Sequence, residues 1–162
     1  DSKTIKQKIL NACNSIYERL DKDGVKIRIA PEFAGAHSKW GTLEECMEIA
    51  GEVRGGWCMD FGHAHAVSKG SLTTKKAFDE LLGKIEKYDS KYLKDLHIQC
   101  CGITFTDKGE RYHTSFDSPE STLNWKAMAE SFKAFNVSGI CITECPGQEK
   151  DALLLKNYYD SL

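Results

Sequence analysis

The chain has 162 residues, 41% of them apolar and 28% charged, with a formal net charge of −2. This is enough for one soluble domain with a buried core, and the near-neutral balance excludes a global basic field for non-specific nucleic-acid binding, though not a local basic face. No apolar run approaches the roughly 20 residues that span a bilayer, and no secretory signal pattern opens the chain.

The seven cysteines are Cys13, Cys46, Cys58, Cys100, Cys101, Cys141 and Cys145. The count is odd and no C-x-x-C occurs. They read as buried, reduced thiols of a cytoplasmic protein rather than as a disulfide framework. Asp1 opens directly into a helical pattern, so the chain is expected to be a piece of something longer.

Ser2 to Leu20 carries Ile5, Ile9, Leu10, Cys13, Ile16, Tyr17 and Leu20 at helical spacing, with Ser2 as a candidate N-cap and Asp21 to Gly24 as a stop. Val25 to Ala30 alternates as a strand does and runs into Pro31-Glu32. A loop follows from Phe33 to Gly41. Thr42-Leu43-Glu44-Glu45 predicts a capping box for a helix reaching about Val53, closed by Arg54-Gly55-Gly56.

The second strand lies in Gly56-Trp57-Cys58-Met59-Asp60, where an apolar run gives way to Phe61-Gly62-His63-Ala64-His65. In one straight strand, Asp60 and His63 would face opposite sides. Both reach one centre only if the chain turns after Asp60, and Gly62 permits a turn. Val67 to Leu72 is expected as a loop. Thr73 or Thr74 caps a helix carrying Ala77, Phe78, Leu81, Leu82, Ile85 and Tyr88. Leu96 to Cys101 is the third strand, followed by a polar loop from Thr104 to Phe116. Ser118-Pro119-Glu120 reads as a helix start, with Leu123, Met128, Ala129, Phe132 and Phe135 on its apolar face. Gly139 to Glu144 is the fourth strand, and a last helix runs from about Glu149 to Tyr159. Helices alternating with strands that are apolar on both faces predict an α/β fold with a parallel sheet.

The chemistry gathers at the strand ends. Glu32 closes the first strand, Asp60 the second and Glu144 the fourth; His97 lies within the third. In parallel α/β folds, function collects at the carboxyl ends of strands. Burying unpaired carboxylates is costly, so three of them with a histidine on one rim call for a cation, unless Lys39, Lys69 or Arg111 neutralises them. Mixed carboxylate and imidazole suit zinc, manganese or iron. Glu110 and His113, on the loop after the third strand, could bind a second ion together with His63. His37 and His65 read as rim residues or substrate contacts.

The ordered set Pro31-Glu32, Met59-Asp60-x-x-His63-Ala64, Leu96-His97, Glu110-Arg111-x-His113 and Ile142-Thr143-Glu144 resembles the second half of endonuclease IV. Those enzymes are (β/α)8 TIM barrels of the xylose-isomerase-like superfamily. Ser38-Lys39-Trp40-Gly41 before a capped helix is similar to the archaeal branch. The resemblance covers nearly the whole chain. It implies that residues 1–162 form one domain, about four βα units equivalent to strands 5–8 of the barrel. It also implies a zinc cluster that cleaves duplex DNA on the 5′ side of an abasic site, after the sugar is flipped out. Glu32 and Glu144 would be catalytic. Glu32, Asp60, His63, His97, Glu110, His113 and Glu144 would be metal ligands. Arg111, Lys39 and Trp40 are the candidate DNA contacts.

Three departures from the family pattern stand out. Four units cannot close an eight-stranded barrel, so the missing half, or a second copy, is expected as a partner. Two histidines that the family supplies from earlier strands are absent. The family's loop pair is aspartate and histidine two apart, whereas here Glu110 and His113 are three apart, so either the loop has shifted or Tyr112 has taken the ligand's place. Two to three zinc ions are expected for the intact nuclease. The competing readings are a sugar isomerase or epimerase with one manganese or similar ion, in which strand-end carboxylates move a proton beside a carbonyl, and a non-catalytic metal-binding fragment.

Overall fold

The computed structural model describes residues 1–162. Helix α1 (Ser2–Lys22) is capped by Asp1, whose carboxylate accepts from the Thr4 amide at 2.9 Å. Ser2, the expected cap, instead donates to Glu45 and accepts from the Trp40 indole. Helix α2 (Leu43–Ala50) begins with the predicted capping box. Thr42 Oγ1 accepts from the Glu45 amide at 3.3 Å, and the Glu45 carboxylate accepts from the Thr42 amide at 3.1 Å.

Strand β1 (Cys58–Asp60) runs straight into helix α3 (Phe61–Val67), and helix α4 (Lys75–Tyr88) follows, capped by Thr74. Then come β2 (Leu96–Cys100), β3 (Gly102–Thr106), β4 (Gly109–Thr114), α5 (Trp125–Ala134), β5 (Gly139–Thr143) and α6 (Glu149–Ser161). The strands β1, β2 and β5 form a parallel sheet in that order. This is the α/β architecture with a parallel sheet that the alternation of elements predicts, and it is consistent with the partial TIM barrel that the resemblance implies.

The structure corrects three expectations. The stretch Val25–Ala30 forms no strand; only Glu32 bridges to Cys58, in the parallel sense. Pro31 has no N–H to donate, and the Ile29 amide is taken by the Tyr17 hydroxyl at 2.8 Å. The polar loop expected at Thr104–Phe116 is an antiparallel hairpin of β3 and β4. Finally, Ser118-Pro119-Glu120 does not start a helix. The cap is Asn124, whose side chain accepts from the Ala127 amide at 3.1 Å.

The core lies between sheet and helices. Met59 and Ile98, which are register partners, face the helices and are buried. Phe61 meets Phe132 edge-on at 5.0 Å and Phe78 at 6.1 Å, which ties α3 to α4 and α5. The opposite sheet face carries a row of Cys58, His97 and Ile140, then a row of Asp60, Gln99 and Ile142 nearer the strand ends. This face is open: Ile140 is 60% and Ile142 43% exposed. At the other side of the sheet, Val25 and Ile27 are exposed as well.

Phe61 anchors α3, the helix that follows Asp60 and carries His63. Phe61→Ala is expected to destabilise the chain by about 3–5 kcal/mol through lost transfer energy and a residual cavity. Urea unfolding monitored by circular dichroism measures this.

Candidate metal centre

The turn needed after Asp60 is made by α3 itself. Asp60 Oδ1 accepts from the His63 amide at 2.7 Å and so caps the helix. A helix puts residues three apart on one face, which brings Asp60 and His63 together. Gly62 serves close packing rather than an unusual turn: a Cβ there would lie 2.6 Å from Cys101 Sγ.

The hairpin brings Glu110 and His113 over this helix. Register pairs Ile103 with His113 and Thr104 with Tyr112, but Phe105 with Glu110. Arg111 is therefore an extra residue in β4, a β-bulge. Ile103 and Phe105 share a face, so Glu110 and His113 do too, although three apart. Tyr112 has not taken a ligand's place. It is 42% exposed, and its hydroxyl donates to Glu120. The hairpin is pinned to the Phe33–Gly41 loop by an Ala36–Gly109 bridge and by the Glu110 amide donating to the Gly35 carbonyl at 2.7 Å. A Cβ on Gly35 would lie 2.7 Å from the His63 ring and 2.8 Å from Glu110 Oε2. The loop therefore needs a residue without a side chain at this point.

His63, Glu110 and His113 form one group of converging ligand atoms, and Glu32, Asp60 and His63 form another. In the first, His63 Nε2 is 2.6 Å and His113 Nε2 3.8 Å from Glu110 Oε2. The first contact is close enough for an ion pair but is not aligned as a hydrogen bond. In the second, His63 Nδ1 is 3.0 Å from Glu32 and 3.7 Å from Asp60. Both imidazoles are oriented from behind. His63 Nδ1 donates to the Phe33 carbonyl at 2.9 Å, and His113 Nδ1 to the Glu144 carbonyl at 3.2 Å. A carbonyl only accepts, so each Nδ1 carries a proton and each Nε2 is the atom presented to the centre. This is how metal-binding histidines are held.

Charge balance points the same way. Among side chains, only the imidazoles of His63 and His113 lie within ion-pair distance of Glu32, Asp60, Glu110 and Glu144; no lysine or arginine does. Lys69 pairs with Asp107 instead. Buried Asp60 Oδ2, His97 Nε2 and Glu110 Oε2 have no hydrogen-bond partner. Orphaned acceptors of ligand type around a negative cleft fit a divalent cation. The thiols do not compete for it: burial pushes Cys58 and Cys101 well above the usual range, with nearby carboxylates adding.

The other expected residues are placed differently. Glu144 lies just past β5, with Oε2 4.0 Å from His113 Nδ1. His97 sits one row below Asp60, and it and Glu144 stay outside both groups. The rim position of β2 belongs to Gln99, which the sequence reading passed over. Trp40 packs against the α1 cluster and donates to Ser2. Lys39 lines the outer groove toward α4. Neither Lys39 nor Arg111 is engaged in an ion pair. His65 is fully buried, with Nδ1 accepting from the Leu72 amide and Nε2 donating to Thr122, so it is structural.

The family profile described as xylose isomerase-like TIM barrel matches residues 1–158, and the chain belongs to that family. An uncharacterised protein of Methanocaldococcus jannaschii is 32% identical over 148 residues, which is 91% of this chain and 54% of that protein. The chain thus spans about half the length of this curated relative.

Two outcomes are expected. In metal-free protein, the histidines separate sharply by NMR titration. For His63, burial alone would lower the pKa, but Glu32, Asp60 and Glu110 outweigh it and raise it to about 9. His65 is lowered to about 4 by burial. The stability that His63 contributes is full below about pH 6.5 and is lost as pH rises through 9. His65 costs stability as pH falls from about 6.5 toward 4, because only the unfolded chain takes up that proton. Second, deleting Arg111 removes the bulge yet leaves Glu110 and the histidine two apart on one strand face. Bound metal, counted by elemental mass spectrometry, is expected to be retained; its loss would mean that the bulge itself builds the site.

Proposed function

We propose that this member of the xylose isomerase-like TIM barrel family is a metal-dependent DNA repair endonuclease that cuts the phosphodiester 5′ of an abasic site. The observation that carries this reading is the His63–Glu110–His113 group. A single-ion isomerase has use for the strand-end carboxylates but none for Glu110 and His113 held over them by a bulged hairpin. His63 presents Nε2 to the Glu110–His113 side while Glu32 and Asp60 lie against its other edge, so the outer set adjoins the strand-end carboxylates; adjoining ligand sets suit a multi-ion centre, as phosphodiester cleavage uses.

Divalent ions, zinc by the donor set, would grip the phosphate, generate a hydroxide-like nucleophile and offset charge on the leaving oxygen. The protein residues supply the rest. His63, His113 and Glu110 hold the outer ligand set. Asp60 is sealed and rigid as the cap of α3, which suits it to bind rather than to exchange protons. The side chains of Glu32 and Glu144 are 37% and 33% exposed, so these carboxylates can take a proton from an attacking water. Lys39 and Arg111 are free to meet backbone phosphates. With a net charge of −2, DNA contact depends on such local cations. Trp40 is committed to α1 and is set aside as a contact.

The exposed Ile140 and Ile142 and the open sheet edges support placing these units as one half of an eight-stranded barrel. Further βα units, or a second copy, would close it.

The test combines metal counting with cleavage of duplex DNA bearing one abasic site. Two or more zinc ions per chain and 5′ incision are expected. Glu144→Ala is expected to abolish cleavage with the fold retained, and His113→Ala to lower bound metal by about one ion per chain. One ion per chain with interconversion of aldose and ketose sugars would overturn the nuclease in favour of the isomerase. Metal uptake with neither activity would favour the non-catalytic fragment.

A further inference from the structure

Gln99 stands at the rim of the middle strand, in register with Asp60 on one side and Ile142 on the other. Its amide is held at both ends. Nε2 donates to Glu144 Oε1 at 2.7 Å, and the Cys58 thiol donates to Oε1 at 3.4 Å. Chemistry fixes which way the amide faces. A carboxylate only accepts, so the end facing Glu144 is the NH2 group; the reverse would press two acceptors together. Glu144 follows the last residue of β5, and Gln99 makes the one side-chain hydrogen bond to its carboxylate.

We propose that Gln99 is a positioning residue for the metal centre: the chain Cys58–Gln99–Glu144 ties down Oε1 of Glu144 and leaves Oε2 free to take up the cation. This rests on the metal-centre reading above. A partly exposed glutamate left to itself samples several rotamers, and ordering it on binding weakens affinity. An amide supplies the orienting donor without the charge of a lysine, which would compete with the cation, or of a carboxylate, which would repel Glu144. The thiol sets the amide in turn, from one row deeper in the sheet.

The test measures Zn2+ affinity by competition with a chromophoric chelator, and follows the Gln99 side-chain amide by 15N NMR in metal-free protein. Gln99→Met, similar in size but without a donor, is expected to weaken Zn2+ binding about tenfold. It should add nothing in a Glu144→Ala background. Cys58→Ala is expected to weaken binding by a smaller factor, and Cys58→Ser, which keeps a donor, to restore it; a mere packing role would not favour the buried hydroxyl. The Gln99 amide protons should exchange slowly in the wild type and rapidly in Glu144→Ala. Full affinity in folded Gln99→Met, or an equal loss in the Glu144→Ala background, overturns the positioning role and leaves the metal centre standing. If Gln99→Met does not fold, equal affinity of Cys58→Ala and Cys58→Ser overturns it instead. A wild-type chain that binds no Zn2+ overturns the metal-centre reading, and this role with it.

Discussion

Four carboxylates, Glu32, Asp60, Glu110 and Glu144, meet at the strand ends with two imidazoles as their only side-chain counter-charges. Bringing like charges together under partial burial is unfavourable unless something opposes it. In the metal-free chain, the opposing group is His63, which holds a proton well above its ordinary range. A divalent cation would oppose the repulsion more strongly and would displace the proton that His63 Nε2 carries toward Glu110. Metal binding and protonation at this site are therefore alternatives, and affinity should weaken as pH falls.

The scaffold keeps this charge cluster in place by short-range means. Asp60 is fixed because it caps α3, and α3 is fixed by the packing of Phe61 against Phe78 and Phe132. Glu110 and His113 are fixed because β4 pairs with β3 on one side and with the Gly35–Ala36 backbone on the other. His63 and His113 are both oriented by backbone carbonyls, which do not change rotamer. Rigid backbone partners suit a site whose ligands repel one another when it is empty, since flexible ones would swing away.

The sheet tells a second story. Its helix-facing side is sealed over β1 and β2, where Met59 and Ile98 are buried beneath α-helices, while Cys141 of β5 in the same row stays exposed. Its other side carries ligands near the rim and bare isoleucines on β5. Parallel sheets are ordinarily covered on both faces, and in a barrel the inner face is filled by side chains from the strands opposite. Exposed Ile140 and Ile142 fit the proposal that further strands cover this face.

Much of this was legible in the sequence. Hydrophobic periodicity marked α1, α4, α6 and the body of α5 but not α3, the capping box at Thr42 gave the start of α2 to the residue, and apolar runs located β1, β2 and β5. The residue types at the strand ends indicated a cation. What escaped was whatever depends on pairing between distant segments. Val25–Ala30 has a strand's alternation, yet its donors are spent on Tyr17 and lost at Pro31. The hairpin was hidden because its residues are polar, although Asp107-Lys108-Gly109 between β-forming runs was a usable turn signal. The spacing of Glu110 and His113 departed from the two-apart pair of the family it resembles, and the bulge at Arg111 is what puts both on one face. Gln99 carried no signal at all, because an amide becomes informative only once its two neighbours are known. Local sequence thus determined which residues could ligate and most of the helices and parallel strands, since propensity and periodicity act over a few residues. Tertiary structure alone decided which of those ligands meet, because strand register and loop contacts between segments far apart in the chain, together with the bulge in the hairpin, set side-chain direction.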